Sequence, residues 1–164
     1  MHADGLDLAV RIRKLPDSAL KARRLGELRI VVFGAPSYFA KHGRPKQPVD
    51  LEKHQCIVRS TDPDAETWSF RVRGRPTTVR VRGRFRSDDT AACETAAVHG
   101  LGIGIAPFWQ IRPLVNEGLI QIILDEFESA RMPVFAVSPP TRMPLVKTRL
   151  FTDLLAANLK RARL

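Results

Sequence analysis

Gly100-Leu101-Gly102-Ile103-Gly104-Ile105-Ala106-Pro107 is the stretch that decides the fold class of this 164-residue chain. Its glycines alternate with leucine and isoleucine, which is typical of a tightly packed buried strand, and the proline ends that strand. A dinucleotide-binding motif is excluded, because it needs another glycine three positions after the second, where this chain has Ile105. Just upstream, Asp88-Asp89-Thr90 predicts the start of a helix that ends at Gly100, since acidic residues favour a helix N-terminus.

Short strands and helices alternate along the rest of the chain. Apolar patterning predicts strands at 6–12, 28–33, 55–59, 119–124 and 133–137. A short helix capped by Ser37 and closed by Gly43, a helix over 108–117 and a final helix opened by Pro144 lie between or after them. The final helix carries an apolar stripe made of Val146, Leu150, Phe151, Leu154 and Leu155. This order predicts an α/β fold with one antiparallel hairpin inserted.

The hairpin is predicted over residues 68–86, with its turn at Gly74-Arg75-Pro76. Trp68, Phe70 and Val79 fall on one face, and seven arginines lie between residues 71 and 86. The arginines are interpreted first as a solvated face that keeps an edge strand from pairing with other chains. A phosphate-binding ribbon is the open alternative, although the aromatic residues fall on the opposite face and so are not free to stack on bases.

Composition limits the class of protein. With 44% hydrophobic and 27% charged residues, the chain suits one globular domain or two small lobes. It has no apolar run of about 20 residues and no secretory signal, so we expect a cytoplasmic protein without membrane contact. Cys56 and Cys93 lie in apolar stretches and suit buried thiols in a reducing compartment. The net charge of +10 is compatible with nucleic acid, with an acidic ligand, or with an Arg-rich genome.

Catalytic and metal-binding patterns are lacking in the sequence. No Cys/His spacing typical of zinc occurs, and His42, His54 and His99 lie near predicted helix ends. We therefore expect no metal, no cofactor and no enzymatic activity.

Candidate ligand-binding residues lie at the ends of predicted elements. Arg11 ends the opening strand and could bind a carboxylate ligand through two hydrogen bonds. Ser87 and Asp88 precede a helix, where they could present a hydroxyl group and backbone amides to an anion, or simply cap the helix.

The ordered segments resemble the effector-binding domain of LysR-type transcriptional regulators. The resemblance rests on the order and spacing of residues 5–12, 25 with 28–39, 42–45 with 48–51, 54–56, 68–70, 87–89, 100–107, 118–120 and 133–137. It implies a type 2 periplasmic-binding-protein-like α/β fold of two lobes, with the first lobe incomplete.

The resemblance also implies a division of the chain. Residues 1–28 would be the remnant of the first lobe, and residues 138–164 the C-terminal helix that returns to it. Residues 29–137 would form the second lobe, with crossing strands near 29–33 and 134–137 lying side by side.

By the same resemblance, a small anionic effector binds between the lobes. Arg11 would pair with it, and Ser87, Asp88, Pro107 and Phe108 would line the cleft. A homodimer or homotetramer is implied for the full-length family, and promoter DNA would be bound only through an N-terminal helix-turn-helix domain absent from this sequence. The alternative is an extracytoplasmic solute-binding protein of the same fold class.

Overall fold

The computed structural model describes residues 7–12, 21–60, 64–128, 131–138 and 146–161. The chain forms two compact units, one of Met1–Arg29 with Arg131–Leu164 and one of Ile30–Ala130. Three predictions lie outside the described residues: Leu6 in the opening strand, the turn over residues 13–18, and Pro144 at the start of the final helix.

Ten strands and four α-helices make up the described part of the chain. The strands are β1 (Ala9–Ile12), β2 (Lys21–Leu28), β3 (Ile30–Gly34), β4 (Val58–Arg59), β5 (Thr67–Val72), β6 (Arg75–Arg80), β7 (Arg86–Ser87), β8 (Gly104–Pro107), β9 (Gln121–Ile123) and β10 (Met132–Ser138). The helices are α1 (Pro36–His42), α2 (Thr90–Val98), α3 (Phe108–Asn116) and α4 (Val146–Arg161). Two 3₁₀ turns, Pro48–Lys53 and Asp125–Phe127, connect them.

The first unit contains a three-stranded antiparallel sheet with β10 between β1 and β2. Val134 lies opposite Ile12 on one side and opposite Gly26 on the other. The prediction that residues 29–33 lie beside residues 134–137 is therefore wrong. The neighbour of β10 is the earlier segment Lys21–Leu28, and the single strand predicted over residues 28–33 is two strands divided at Arg29.

Helix α4 packs on β2 through a face other than its apolar stripe. Thr152 of this helix is buried, and Leu159 approaches Gly26 of β2. The side chains of Val146, Leu150, Phe151 and Leu154 are exposed, and Leu155 is half-buried. The stripe predicted from the sequence is thus largely uncovered in this chain.

The second unit is built around β3, which lies between β8 and β9 in an antiparallel sheet. Successive side chains of a strand point to opposite faces of a sheet. Accordingly, Val32 packs into one buried cluster with Trp68 and Ile103, whereas Val31 packs into a second cluster with Ile111. Burial on both faces explains the nearly continuous apolar sequence of β3.

Antiparallel pairing extends well beyond the one inserted hairpin that the sequence predicted. Both three-stranded sheets are antiparallel throughout. Parallel pairing joins β4 to β7, and two isolated parallel bridges link Gln55 to Arg82 and Cys56 to Ile103. Alternation of strands and helices therefore identified the α/β class but not the strand directions.

The predicted hairpin is confirmed as β5 paired with β6, but it ends at Arg80 and not at Arg86. Beyond it, Arg82 bridges Gln55 and Arg86 pairs with Val58 of β4. The hairpin turn lies one residue earlier than predicted, because Arg73 and Gly74 both have positive φ angles, of 49° and 77°. This is the backbone that a two-residue hairpin turn requires. Trp68, Phe70 and Val79 are buried, as the alternation predicted.

Helix ends follow the predicted chemistry with one exception. Asp89 caps α2, since its Oδ1 accepts a hydrogen bond from the Ala92 amide at 3.0 Å. Gly43 ends α1, but the residue that caps its N-terminus is Ala35 and not Ser37. Pro36 occupies the first turn of that helix, where its missing N–H costs no hydrogen bond. Within the described residues, no helix has both the length and the apolarity needed to cross a membrane.

Candidate functional site

The structure places four of the five predicted ligand-binding residues in the second unit. Ser87 ends β7 and Asp88 follows it, just before α2, while Pro107 ends β8 and Phe108 begins α3. Arg11 lies in the first unit on β1, opposite Phe135 of β10, and is half-buried with partners of its own.

The polar groups before α2 are engaged in capping. The Ser87 Oγ accepts a hydrogen bond from the Asp89 amide at 3.1 Å, and Asp89 in turn caps the helix. Asp88 is exposed. Ser87 and Asp89 thus act in helix capping, which was one of the two roles considered for the residues before this helix. Because Ser87 Oγ only accepts in this contact, its hydroxyl proton stays available to a ligand.

A shallow depression lies beside these residues, between α2, β8 and the start of α3. Its floor is apolar and is formed by Phe33, Ile57, Gly104, Ile105 and Ala106. Its rim carries groups that can form hydrogen bonds or ion pairs: Arg59, Thr90, Cys93, Glu94 and Gln110.

Gly104 shapes the floor through its lack of a side chain. A Cβ atom at this position would lie 2.7 Å from the tip of the Phe33 ring, which is closer than such contacts allow. The alternating glycines of the 100–107 stretch thus have a local role here, because one of them lets an aromatic ring lie against the strand.

Charge on the rim is divided between a cation and a carboxylate. Glu94 on α2 accepts a hydrogen bond from the side-chain amide of Gln110 on α3, at 2.6 Å. Arg59 is exposed and lies at the end of β4, opposite Ser87 of β7. A guanidinium can bind a carboxylate or phosphate ligand through two parallel hydrogen bonds.

The thiol on the rim is poorly suited to nucleophilic chemistry. Burial raises the pKa of the Cys93 thiol above its ordinary value of 9.0, and the nearby carboxylates of Asp89, Glu94 and Asp88 raise it further against the opposing effect of Arg59. Its Sγ donates to the Ser87 carbonyl at 3.8 Å. The thiol is therefore protonated near neutral pH, whereas a reactive cysteine needs a lowered pKa.

Both cysteines are free thiols, but they differ in burial. Cys56 lies in the core, where burial raises its pKa to about 12. Cys93 is only half-buried, so the prediction of two buried thiols holds for Cys56 alone.

The depression has a cavity volume of only about 30 Å³. Small-molecule sites typically occupy about 300–1,000 Å³ and cover most of the ligand. On its own, the depression can serve as one wall of a binding site but cannot enclose an organic molecule.

A second polar cluster surrounds Tyr38, away from the depression. Its hydroxyl accepts a hydrogen bond from the Gln55 amide at 3.0 Å, and the same oxygen forms a hydrogen bond with His54 Nδ1 at 3.2 Å. The His42 ring stacks on Tyr38 with a centroid distance of 4.6 Å. Burial lowers the pKa of His54, as does His42, while Asp50 opposes both effects. His54 is therefore a neutral, structural histidine near pH 7.

Sequence reasoning missed the rim residues Arg59, Glu94 and Gln110. Each is a common surface residue in a segment without a motif, and only the folded chain brings Glu94 and Gln110 together across 16 positions. The one available signal was that Glu94 and Gln110 follow the predicted residues Ser87 and Phe108 within a few positions; Arg59 had no such signal. In the part of the chain that the structure describes, no three His, Cys, Asp or Glu residues are grouped in a way that could hold a metal ion.

Comparison with protein families gives a match to the LysR substrate-binding domain over residues 1–160. The transcriptional activator AaeR of Escherichia coli K12 is 34% identical over 144 residues, which cover 87% of this chain and 47% of that protein. The regulator CrgA of Neisseria meningitidis is 28% identical over 156 residues, which cover 94% of this chain and 52% of that protein. The chain thus spans about half the length of the curated relatives it matches.

Solved structures agree with the sequence relatives. The regulatory domain of CrgA, a LysR-type regulator from Neisseria meningitidis, has a TM-score of 0.78 at 28% identity, covering 94% of this chain and 76% of that one. The effector domain of AmpR from Pseudomonas aeruginosa has a TM-score of 0.65 at 20% identity, covering 98% and 77%, and supports the fold alone. The fold is the type 2 periplasmic-binding-protein-like fold predicted from the sequence.

Proposed function

Because the chain belongs to the LysR substrate-binding domain family, we propose that it is the effector-sensing part of a transcription regulator and binds a small anionic molecule. The observation that carries this proposal is the family match, which extends over residues 1–160. The named relatives that share this segment are regulators of transcription.

The depression beside α2 is proposed as one wall of the effector site. Its apolar floor suits the carbon skeleton of a small organic molecule, and Arg59 on its rim supplies the cation for an acidic group. Because the cavity is small, a bound effector needs cover from a second surface. Pro107 and Phe108 stay candidates for the edge of the depression. Arg11, on β1 of the first unit, stays a separate candidate for contact with an anionic ligand.

Binding without turnover is proposed in place of catalysis. The thiol on the rim, Cys93, has a raised pKa. The carboxylate on the rim, Glu94, is hydrogen-bonded to Gln110 and not to a nucleophile. A catalytic nucleophile needs an adjacent base within hydrogen-bonding reach. The alternative of an extracytoplasmic solute-binding protein is disfavoured, because the named relatives are transcription regulators.

Partners and location follow from the same proposal. The regulator would act in the cytoplasm as a homodimer or homotetramer, without a cofactor. Promoter DNA would be bound by a helix-turn-helix segment outside these 164 residues. Effector binding would shift the population of two arrangements of the assembly on DNA, which requires a different affinity for each.

Thermal-shift screening of the purified chain tests the proposal, with a panel of aliphatic and aromatic monocarboxylates and dicarboxylates as probes. A ligand that binds only the folded state raises the melting temperature as its concentration rises. The Arg59→Gln variant should weaken the best ligand by about tenfold or more, equivalent to about 1.4 kcal/mol. Arg112→Gln, which removes an exposed arginine from α3, is the matched control.

Two results would overturn the proposal. One is a panel in which no acid stabilises the chain at millimolar concentration. The other is chemical conversion of a bound acid by the purified protein, since the proposal assigns binding alone.

A further inference from the structure

The arginines of the β5–β6 hairpin are more numerous than protection of a strand edge requires. Residues 64–87 contain seven arginines and only two carboxylates, Asp64 and Glu66. Charged side chains are one of several devices that keep an edge strand from pairing with another chain, beside prolines, bulges and short strand length. Clustered like charges also repel one another, which destabilises the folded state.

Pairing within the hairpin accounts for only part of this charge. Glu66 forms ion pairs with both Arg80 and Arg86, and Arg71 donates to the Gly74 carbonyl at 3.2 Å. The remaining four arginines are exposed, and their side chains have no hydrogen-bond or ion-pair partner among the described residues. They are Arg73, Arg75, Arg82 and Arg84.

These four side chains lie at the two ends of β6. Arg73 and Arg75 flank Gly74 at the tip of the hairpin. Arg82 and Arg84 follow β6, where backbone bonds fix them to the core: the Cys56 amide donates to the Arg82 carbonyl at 2.8 Å. At about 3.3 Å per residue, the six residues of β6 alone extend roughly 17 Å. The exposed cations are thus spread along the length of β6. Arg75 lies on the same face as its partner Val72, whereas Arg82 and Arg84, like Arg80, alternate with the buried Val79 and Val81. Arg73, Arg75, Arg82 and Arg84 are called the arginine row.

We infer that this arginine row binds the phosphate backbone of double-stranded nucleic acid. Duplex DNA carries one negative charge per about 1.7 Å of its axis, so cations spread over this length can reach several phosphates at once. Trp68 and Phe70 are buried and cannot stack on bases. The contact is therefore with phosphates and does not read sequence.

The inference is independent of the effector site. It assigns the hairpin a weak contact with DNA of any sequence, and it stands or falls without regard to what binds beside α2. Arg59, on the rim of the depression, is not part of the row.

Fluorescence anisotropy with a labelled random-sequence duplex tests the inference, using the purified chain over a range of salt concentrations. The hairpin variant is Arg73→Gln, Arg75→Gln, Arg82→Gln and Arg84→Gln combined. The control variant removes the same charge elsewhere, through Lys41→Gln, Lys46→Gln, Arg112→Gln and Arg149→Gln, all of which are exposed. Melting curves of both variants confirm that they are folded.

The expected result is at least a tenfold loss of duplex affinity in the hairpin variant and a small loss in the control. Each phosphate contact contributes about 0.9 to the slope of log affinity against log salt, so four lost contacts lower it by up to about 3.6. Equal losses in the two variants would show attraction by overall charge alone and overturn the inference.

Two further outcomes also decide against it. An unmodified chain that fails to bind the duplex at low salt rules out the phosphate contact. Poly-glutamate that competes as well as duplex DNA at equal charge concentration would assign the row to an acidic polypeptide instead.

Discussion

Replacement of Gly83 by alanine tests how the hairpin is attached to the core. A Cβ atom at Gly83 would overlap the carbonyl oxygen of Cys56, which is backbone and cannot move aside alone. Next to this point, the Cys56 amide donates to the Arg82 carbonyl at 2.8 Å, and the Val58 amide donates to the Phe85 carbonyl at 3.1 Å. Making room for the methyl group therefore separates two segments that these bonds join.

The magnitude follows from the bonds at risk. Each net hydrogen bond contributes about 0.5–1.5 kcal/mol, and a buried amide left without a partner costs about 1–3 kcal/mol. Cys56 is only 1% exposed, so water cannot replace the lost acceptor. Alanine also restricts the unfolded chain more than glycine does, which offsets the loss by about 0.4–1 kcal/mol. We expect Gly83→Ala to lower the free energy of unfolding by about 2–4 kcal/mol, or the melting temperature by roughly 6–12 °C.

Tryptophan fluorescence during urea unfolding is the assay, because Trp68 and Trp109 both lie in the second unit. Gly74→Ala is the matched control, since a Cβ there meets no atom within 4 Å but the φ of 77° costs about 1 kcal/mol. A Gly83→Ala variant no less stable than Gly74→Ala would refute the reasoning, because steric overlap would then add nothing to backbone strain.

Two more predictions concern the second unit. Its stability should fall as the pH drops below 6.5, because burial lowers the pKa of His54 in the folded state and the unfolded chain binds the proton more readily. His54→Gln should flatten this part of a urea-unfolding pH profile, and an unchanged profile would contradict the burial of a neutral His54 in the folded chain. Ile103→Ala should lower the free energy of unfolding by about 2–5 kcal/mol in the same assay, because Ile103 is fully buried. Leu101→Ala, at a half-exposed position, should lower it by less than about 1 kcal/mol. Similar losses in the two variants would place the 100–107 stretch outside the core.

Several elements could be predicted from the sequence because residues within a few positions specify them. Alternation of Trp68 and Phe70 with polar residues identified β5 and its buried face, and Asp89 identified the start of α2. These features depend on neighbours within a few positions, so the sequence alone contains the information needed.

Strand β2 shows where local reading fails. Lys21–Leu28 is rich in Lys, Arg and Glu, and only Leu25 and Leu28 are buried. Strand propensity would not select such a segment; it is a strand because it pairs with β10 from Lys21 to Leu28, with a bulge at Leu25. The direction in which two strands pair is likewise set by distant partners. Side chains alternate between the two faces in parallel and antiparallel pairs alike, so the alternation cannot distinguish them.

The candidate site was predicted only in outline. Ser87 and Phe108 lie at element ends, which a sequence can indicate, and both are close to the depression. Arg59 and Glu94 reach its rim because β4 pairs with β7 and because Glu94 on α2 bonds Gln110 on α3. Such long-range contacts have no local signature, which is why these side chains emerged only from the fold.

The most direct test of the account is an amide-resolved NMR titration of the chain with the tightest-binding carboxylate from the screen. The account predicts that the largest chemical-shift changes fall on the amides of residues 90–94, 104–106 and 110, which surround the depression. Saturable binding whose shifts leave all of these amides unmoved would contradict it, because the effector would then occupy a different surface.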